Sequence, residues 1–215
     1  MEQRIIKRFF DIVVSGLSIL ILSPLMIIIA ITVKCTSRGP IIFKQPRITR
    51  NQKQFNIYKF RSMRVINGDE VKKTTVDDDR ITWVGKLIRP LRLDELPQLF
   101  NILFGDMSVV GPRPEMIELV KDYSEKLPEF NLRHKVKAGL TGYAQIYGKY
   151  NTSAYDKLRL DLMYIENYSV LLDIKLILLT LRIILKKEST EGFEMQEELE
   201  RKKMEMLCNV DVHKD

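Results

Sequence analysis

Apolar positions along the chain fall into distinct regimes, and the first is the most continuous. From Ile12 to Val33 the apolar run is interrupted only by Ser15, Gly16, Ser18, Ser23, Pro24 and Thr32. About twenty such residues suffice to cross a bilayer as one helix. Ser23-Pro24 falls in the middle of the run, where proline removes an N–H and disfavours the α conformation at the residue before it. A break there leaves Leu25 to Val33, about nine residues or roughly 14 Å of helix, against a hydrocarbon core of ~30 Å. Basic residues flank the run on both sides: Arg4, Lys7 and Arg8 before it, Lys34, Arg38, Lys44 and Arg47 after it. The positive-inside bias therefore selects no orientation. Two arrangements follow, a helix–break–helix that dips into the membrane and returns, and a kinked helix that spans it. A cleaved signal peptide fits less well, because the run exceeds a typical apolar core and no small-x-small site follows closely.

After Gly39 the pattern changes to alternation. Ile41 to Phe43 and Phe55 to Phe60 read as short strands around a polar turn at Asn51-Gln52-Lys53. Asn67 to Arg80 is a polar loop containing Asp77-Asp78-Asp79, a solvated acidic turn, since adjacent side chains rarely converge on one ion. Leu96, Leu99, Phe100, Ile102 and Leu103 then recur at spacings of three and four, which predicts an amphipathic helix. Pro97 is tolerated only near a helix start, so the start is placed at about Leu93. Met116 to Lys126 predicts a surface helix, Gly139 to Gly148 a glycine-punctuated loop or strand, and Asp156 to Tyr168 another amphipathic helix. Asp173 to Lys187 is strongly apolar but too short to span, and suits a helix lying in the headgroup plane or a core helix. Beyond Glu188 the chain is a highly charged, peripheral tail.

Composition narrows the partners. The 215 residues carry a net charge of +7, which implies nucleic acid, an acidic membrane surface or phosphorylated small molecules. Two cysteines, Cys35 and Cys208, give no disulfide framework, and two histidines without a Cys/His cluster argue against a zinc site.

The chemistry concentrates between Arg89 and Glu115. Adjacent carboxylates, Asp94 and Glu95, follow Arg89 and Arg92, and the stretch closes with Pro112-Arg113-Pro114. Free N–H groups at a helix start favour a carboxylate, and equally a substrate phosphate. Read by themselves, the two acids are also ordinary first-turn residues paired with nearby arginines. Asp94 is a candidate carboxylate nucleophile, and Mg²⁺ is the natural ion to keep it ionised beside Glu95.

RLDELPQLFN and GDMSVVGPRPE resemble the signature of the bacterial monotopic phosphoglycosyl transferases. KRFFD at Lys7 to Asp11, the Ser23-Pro24 step, YKFRSM at Tyr58 to Met63 and RHKVKAGLTGYAQI at Arg133 to Ile146 extend the resemblance from about Lys7 to Lys187. It implies an α+β fold. A re-entrant membrane helix–break–helix over 1–38, broken at Ser23 and Pro24, joins a small catalytic domain over 39–187 with short strands and interfacial helices, followed by a charged tail over 188–215.

The implied reaction moves a sugar 1-phosphate from a UDP-sugar to undecaprenyl phosphate. It proceeds through an aspartyl-phosphosugar on Asp94, releases UMP and starts exopolysaccharide, capsule or glycoconjugate assembly. Glu95 then supports the metal or the proton traffic, Lys59, Arg61, Arg89, Pro112, Arg113 and Pro114 form the substrate-binding set, and Asp94 holds Mg²⁺. The implied setting is monotopic, on the cytoplasmic face of the bacterial inner membrane, with anionic lipids around it and a homo-oligomer as one possible state. A nucleotide-sugar hydrolase and a noncatalytic basic membrane scaffold are the competing readings. The scaffold is opposed by the grouping of acids and arginines into ordered motifs, and no nucleic-acid partner is expected. Arg92 departs from the family's usual small hydroxyl residue, so the cap before Leu93 is supplied otherwise or the helix starts elsewhere. Many relatives also lack Pro90.

Overall fold

The computed structural model describes residues 2–64, 78–148 and 152–185. Asp77, the start of the acidic loop and the tail over 188–215 lie outside the described residues. The architecture is mixed helix and strand, with one long helix laid against a small body. Helix α1 spans Glu2–Thr36. A hairpin follows, β1 (Ile42–Ile48) antiparallel to β2 (Gln54–Phe60), with Ile42 opposite Phe60 and Ile48 opposite Gln54. Its turn places Asn51 and Gln52 at positive φ, which asparagine tolerates better than most residues. Both expected strands are present, but β1 extends past Pro46. A two-stranded ribbon leaves each strand an outer edge on which a missing N–H costs nothing.

Helices α2 (Trp83–Ile88) and α3 (Gln98–Phe104) lead to the short strand β3 (Ser108–Val110). Helix α4 (Ile117–Lys126) and a 3₁₀ run over Pro128–Lys135 then cross back to β4 (Gly139–Thr141), which pairs in parallel with β3. Glycine is required at this pairing. A Cβ on Gly111 would collide with the Lys137 carbonyl, and one on Gly139 with the Gly111 backbone. The chain continues through α5 (Tyr143–Tyr147), α6 (Ala154–Glu166) and α7 (Val170–Leu185). The expected surface and amphipathic helices correspond to α4, α6 and α7 within a few residues.

The central core joins Phe55 and Ile57 of β2, Leu99 and Ile102 of α3, Val109 and Val110 of β3, and Leu176 of α7. Val14, Ile19 and Leu22 of α1 pack on it. Further along α1, Met26, Ile29 and Val33 pack against Phe60, Val84 and Ile88. The opposite face of α1 is bare, with Leu20 71% and Ile21 72% exposed. Helix α7 divides likewise: Leu176 is buried, while Leu171, Leu178 and Leu181 face outward. It is thus a core helix on one side and an exposed apolar surface on the other.

Three expectations need correction, the first being that Gly139 to Gly148 is not loop or strand throughout, since Tyr143–Tyr147 forms helix α5 after β4. Helix α1 runs without interruption through Ser23-Pro24, so the expected break does not end the helix. Pro24 cannot donate to the Leu20 carbonyl, and the Ser23 hydroxyl does so instead at 2.9 Å. The helix expected from about Leu93 is also different. Leu93–Glu95 is a separate 3₁₀ turn, and α3 starts only after Pro97, because Pro97 cannot extend a helix that precedes it.

Candidate active site

Lys59 is placed by strand periodicity. It shares a face of β2 with the buried Phe55 and Ile57, and so turns inward from the hairpin. Asn101 of α3 completes the edge of β2, its Oδ1 accepting from Tyr58 N at 2.9 Å and its Nδ2 donating to Asn56 O at 2.8 Å. These two bonds hold the start of α3, and the turn before it, over the end of β2.

That turn carries the acids. Arg92 adopts a left-handed conformation (φ 53°), which ends the path from α2 and opens the 3₁₀ turn. Glu95 N donates to Arg92 O at 3.1 Å and Leu96 N to Leu93 O at 3.3 Å. Consecutive side chains on such a turn diverge. Glu95 is directed inward and is 8% exposed. Its Oε1 accepts from Lys59 Nζ at 2.9 Å and from Arg113 at 2.8 Å. Burial opposes the Glu95 charge, but Arg113 and Lys59 together outweigh it and hold the carboxyl well below the usual range. Burial pushes the Lys59 ammonium down, and Glu95 partly restores it.

Asp94 has the opposite environment. Burial raises its pKa to about 6, Lys59 and Arg89 lower it, and the Glu95 charge raises it further. Among the described residues no cation pairs with it; Lys59, the cation that acts on it most, is engaged by Glu95, as is Arg113. Two adjacent carboxylates are therefore split in role. Glu95 is a fixed anion between two cations, and Asp94 is an uncommitted carboxylate with raised basicity. That separation of environments is how paired acids acquire distinct chemistry.

The segment bearing Arg113 is clamped carbonyl by carbonyl. Pro112 O accepts from Gly139 N at 2.9 Å, Arg113 O from Arg133 at 2.9 Å, and Pro114 O from Arg47 at 3.2 Å. The flanking prolines bring no N–H groups that would need partners. The backbone is fixed on both sides, and the Arg113 side chain is left to reach Glu95.

The sequence model of the family described as bacterial sugar transferase matches residues 2–187. The chain belongs to this family. It is 47% identical over 182 residues to the UDP-glucose:undecaprenyl-phosphate glucose-1-phosphate transferase of Klebsiella pneumoniae, covering 82% of this chain and 39% of that protein. To a UDP-N-acetylgalactosamine-undecaprenyl-phosphate N-acetylgalactosaminephosphotransferase of Aeromonas hydrophila it is 42% identical over 184 residues, 84% of this chain and 44% of that protein. The chain therefore spans about two fifths of the length of such relatives. The sugar transferase EpsL of Bacillus subtilis, described as uncharacterized, is 39% identical over 187 residues, 87% of this chain and 91% of that protein.

Within this chain the other candidates are distributed unevenly. Arg89 closes α2 and lies near enough to Asp94 to favour its ionised form. Arg61 is 3% exposed and donates to Val33 O, Ser37 O and Ser37 Oγ, tying β2 to the end of α1. Ser23 and Pro24 lie in the apolar middle of α1, whose N-terminal end packs against α3 and whose C-terminal end meets Arg61.

Several residues behind the site were given no role by the sequence, although Glu115 and Arg133 lie in the family-like motifs. Glu115 pairs with Lys157 at 3.2 Å, and the almost fully buried Arg133 pairs with Asp161 at 2.8 Å. Arg47 lies close enough to Arg113 for the two charges to repel, and burial together with that repulsion lowers its pKa. Their pairings span long sequence distances, and only folding brings them together.

Among the described residues no group of three or more His, Cys, Asp or Glu is arranged to hold a metal ion. Mg²⁺ typically takes one or two carboxylates and completes its shell with substrate phosphate and water. The unpaired carboxylate of Asp94 fits that requirement.

Proposed function

We propose that this chain transfers a sugar 1-phosphate from a UDP-sugar to undecaprenyl phosphate, releasing UMP and starting exopolysaccharide, capsule or glycoconjugate assembly. The observation that carries the reading is the division of labour between Asp94, free and raised to about 6, and Glu95, held between Lys59 and Arg113. The names of the relatives from Klebsiella pneumoniae and Aeromonas hydrophila supply the substrate class.

In the proposed mechanism, an Asp94 carboxylate oxygen attacks the phosphorus bearing the sugar. The bond from that phosphorus to the bridging oxygen breaks, and UMP leaves with the electron pair. A phosphate oxygen of the lipid then attacks the same phosphorus, the acyl-phosphate bond breaks, and Asp94 regains its carboxylate. Lys59, Arg89 and Arg113 are arranged to neutralise phosphate charge, and Glu95 fixes the first and last of these in place. Asp94 would hold Mg²⁺, which when bound supplies further neutralisation of the phosphates.

One substrate is soluble and the other lipid, so the site belongs at a membrane surface. The 33-residue apolar stretch Arg4–Thr36 is long and apolar enough to reach across a bilayer, yet both of its ends are hydrogen-bonded to the same body. Arg8 donates to Ile102 O and Leu103 O near the start of the helix, and Arg61 donates to Val33 O near its end. A spanning helix would carry one of those ends away from the body. Attachment of both ends to one body supports a helix held in one leaflet, which in this proposal bends at Ser23-Pro24 without losing its helical path and sits in the inner membrane with the site facing the cytoplasm.

The test is UMP release from a panel of UDP-sugars by detergent-solubilised protein, with Mg²⁺ or EDTA, and with or without undecaprenyl phosphate. Release requiring metal, lipid and Asp94 supports the reading. Continued turnover without the lipid would make the chain a hydrolase, and no turnover on any donor by folded protein would leave a scaffold.

A further inference from the structure

A second concentration of positive charge lies apart from Asp94 and Glu95. A cavity of about 920 Å³ opens beside the first turns of α1. Six cations line it, Arg4, Lys7, Arg8, Arg50, Lys135 and Lys137, against two carboxylates, Asp11 and Glu166. It shares no lining residue with the group formed by Lys59, Asp94, Glu95 and Arg113.

The two carboxylates do not cancel this charge: Glu166 is exposed and forms no ion pair among the described residues, and Asp11 is engaged elsewhere. Asp11 Oδ1 is already taken by Ser108 Oγ at 3.0 Å, Val109 N at 2.9 Å and Lys7 at 3.5 Å, and Lys7 is itself held by Asp173 at 2.6 Å. Among the described residues none of Arg4, Arg8, Arg50, Lys135 or Lys137 forms an ion pair. Arg8 is fixed by neutral acceptors, Ile102 O at 2.6 Å and Leu103 O at 2.7 Å, which orient its charge without removing it. Lys137 stands next to it: a Cβ on Gly105 would lie 3.3 Å from the Arg8 guanidinium and 3.5 Å from Lys137 Nζ. Burial, Arg8 and Arg50 push the Lys137 pKa down, and the more modest opposing pull of Asp11 and Asp106 does not reverse it, as expected where like charges converge.

The surroundings of the cavity indicate where its anion comes from. Ile5, Phe9 and Ile12 line the same cavity and are 66%, 68% and 41% exposed, on the helix that carries the bare apolar face. Cations beside apolar side chains at the end of a membrane-seeking helix match a phosphate with acyl chains attached.

We propose that this cavity binds the phosphate headgroup of an anionic membrane lipid, separately from the reaction at Asp94. The readout is retained lipid, so the proposal fails or stands independently of turnover. Full-length protein is equilibrated with phosphatidylcholine vesicles containing a minority of phosphatidylglycerol, released into mild detergent and weighed by native mass spectrometry. The expected result is one phosphatidylglycerol per chain, retained in preference to phosphatidylcholine. Removing two cations at roughly 1 kcal/mol each corresponds to about 30-fold weaker retention in a Lys135→Gln/Lys137→Gln variant. Lys135 is exposed and Lys137 half-buried, neither in an ion pair, so the fold tolerates the change, and circular dichroism checks that it does. A Lys86→Gln/Lys121→Gln variant removes the same charge from exposed positions elsewhere and should retain lipid as the wild type does. Equal retention of the two lipids, or equal loss in both variants, overturns the proposal. A parallel titration of delipidated protein with inorganic phosphate separates the sources: phosphate binding without lipid retention would assign the cavity to a soluble phosphate and overturn the lipid assignment.

Discussion

Lys59 and Arg113 meet on a single atom, both donating to Oε1 of Glu95, at 2.9 and 2.8 Å. Glutamine at this position can offer the same contacts but no charge, and leaves two cations facing each other. Removing one member of a buried pair costs about 3 kcal/mol, and Glu95→Gln is expected to lose on that order in thermal unfolding. Asp122→Asn, which removes the exposed pair with Lys126, should leave the midpoint unchanged. Equal midpoints for the two variants would show that Glu95 does not hold the cations together.

Asp94→Asn should separate activity from stability. The Asp94 pKa is raised from 3.8 to about 6, so the folded protein binds this proton more tightly than the unfolded chain does. Stability is then full below about pH 4, declines as pH rises towards 6, and stays reduced at neutrality. Allowing for partial solvent screening, asparagine should gain about 1–2 kcal/mol at pH 7, little at pH 4, and lose turnover at both. For the wild type, turnover should fall as pH drops through 6, since the nucleophile must be ionised. Stability curves for the two proteins at pH 4 and pH 7, with a pH–rate profile, check these signs.

Arg61 should behave as a brace. Its bonds to Val33 O, Ser37 O and Ser37 Oγ require a guanidinium, and a lysine cannot reach all three. Arg61→Lys is expected to lose about 2 kcal/mol of stability, with KM for the UDP-sugar within about twofold of wild type. A raised KM at unchanged stability would return Arg61 to the phosphate-binding set.

Whether α1 returns to its own side is open to thiol labelling. Cys35 is exposed near the end of the helix. With Cys208 replaced by serine, Cys35 and an introduced Gln3→Cys should both be shielded in intact cells from a membrane-impermeant reagent, and both should react in inside-out vesicles. Labelling of one from each side would establish a spanning helix.

These outcomes trace back to what could be read before folding. Asp94, Glu95 and Arg113 lie in one short stretch, and Lys59 lies in YKFRSM, so the family-like motifs marked all four. Their unequal environments could not be read there. That both cations choose Glu95 depends on the left-handed Arg92 and on Pro97, which turn the two acids apart before α3 begins. Ser23-Pro24 was visible as a disruption, but not the hydroxyl that replaces the missing donor and keeps α1 helical. Arg133, Asp161 and Glu115 act through partners distant in sequence, and local pattern carries no trace of such pairings.

The central claim is that Asp94 carries the phosphosugar, and the direct measurement is a single turnover without the lipid acceptor. Wild-type protein is mixed with UDP-sugar and Mg²⁺, released UMP is quantified, and the protein is weighed intact and after digestion. The account predicts at most one UMP per chain and a matching phosphosugar mass on the peptide containing Asp94, discharged on adding undecaprenyl phosphate and absent from Asp94→Asn. Continuous UMP release without the lipid, or lipid-dependent transfer that survives in Asp94→Asn, would contradict it.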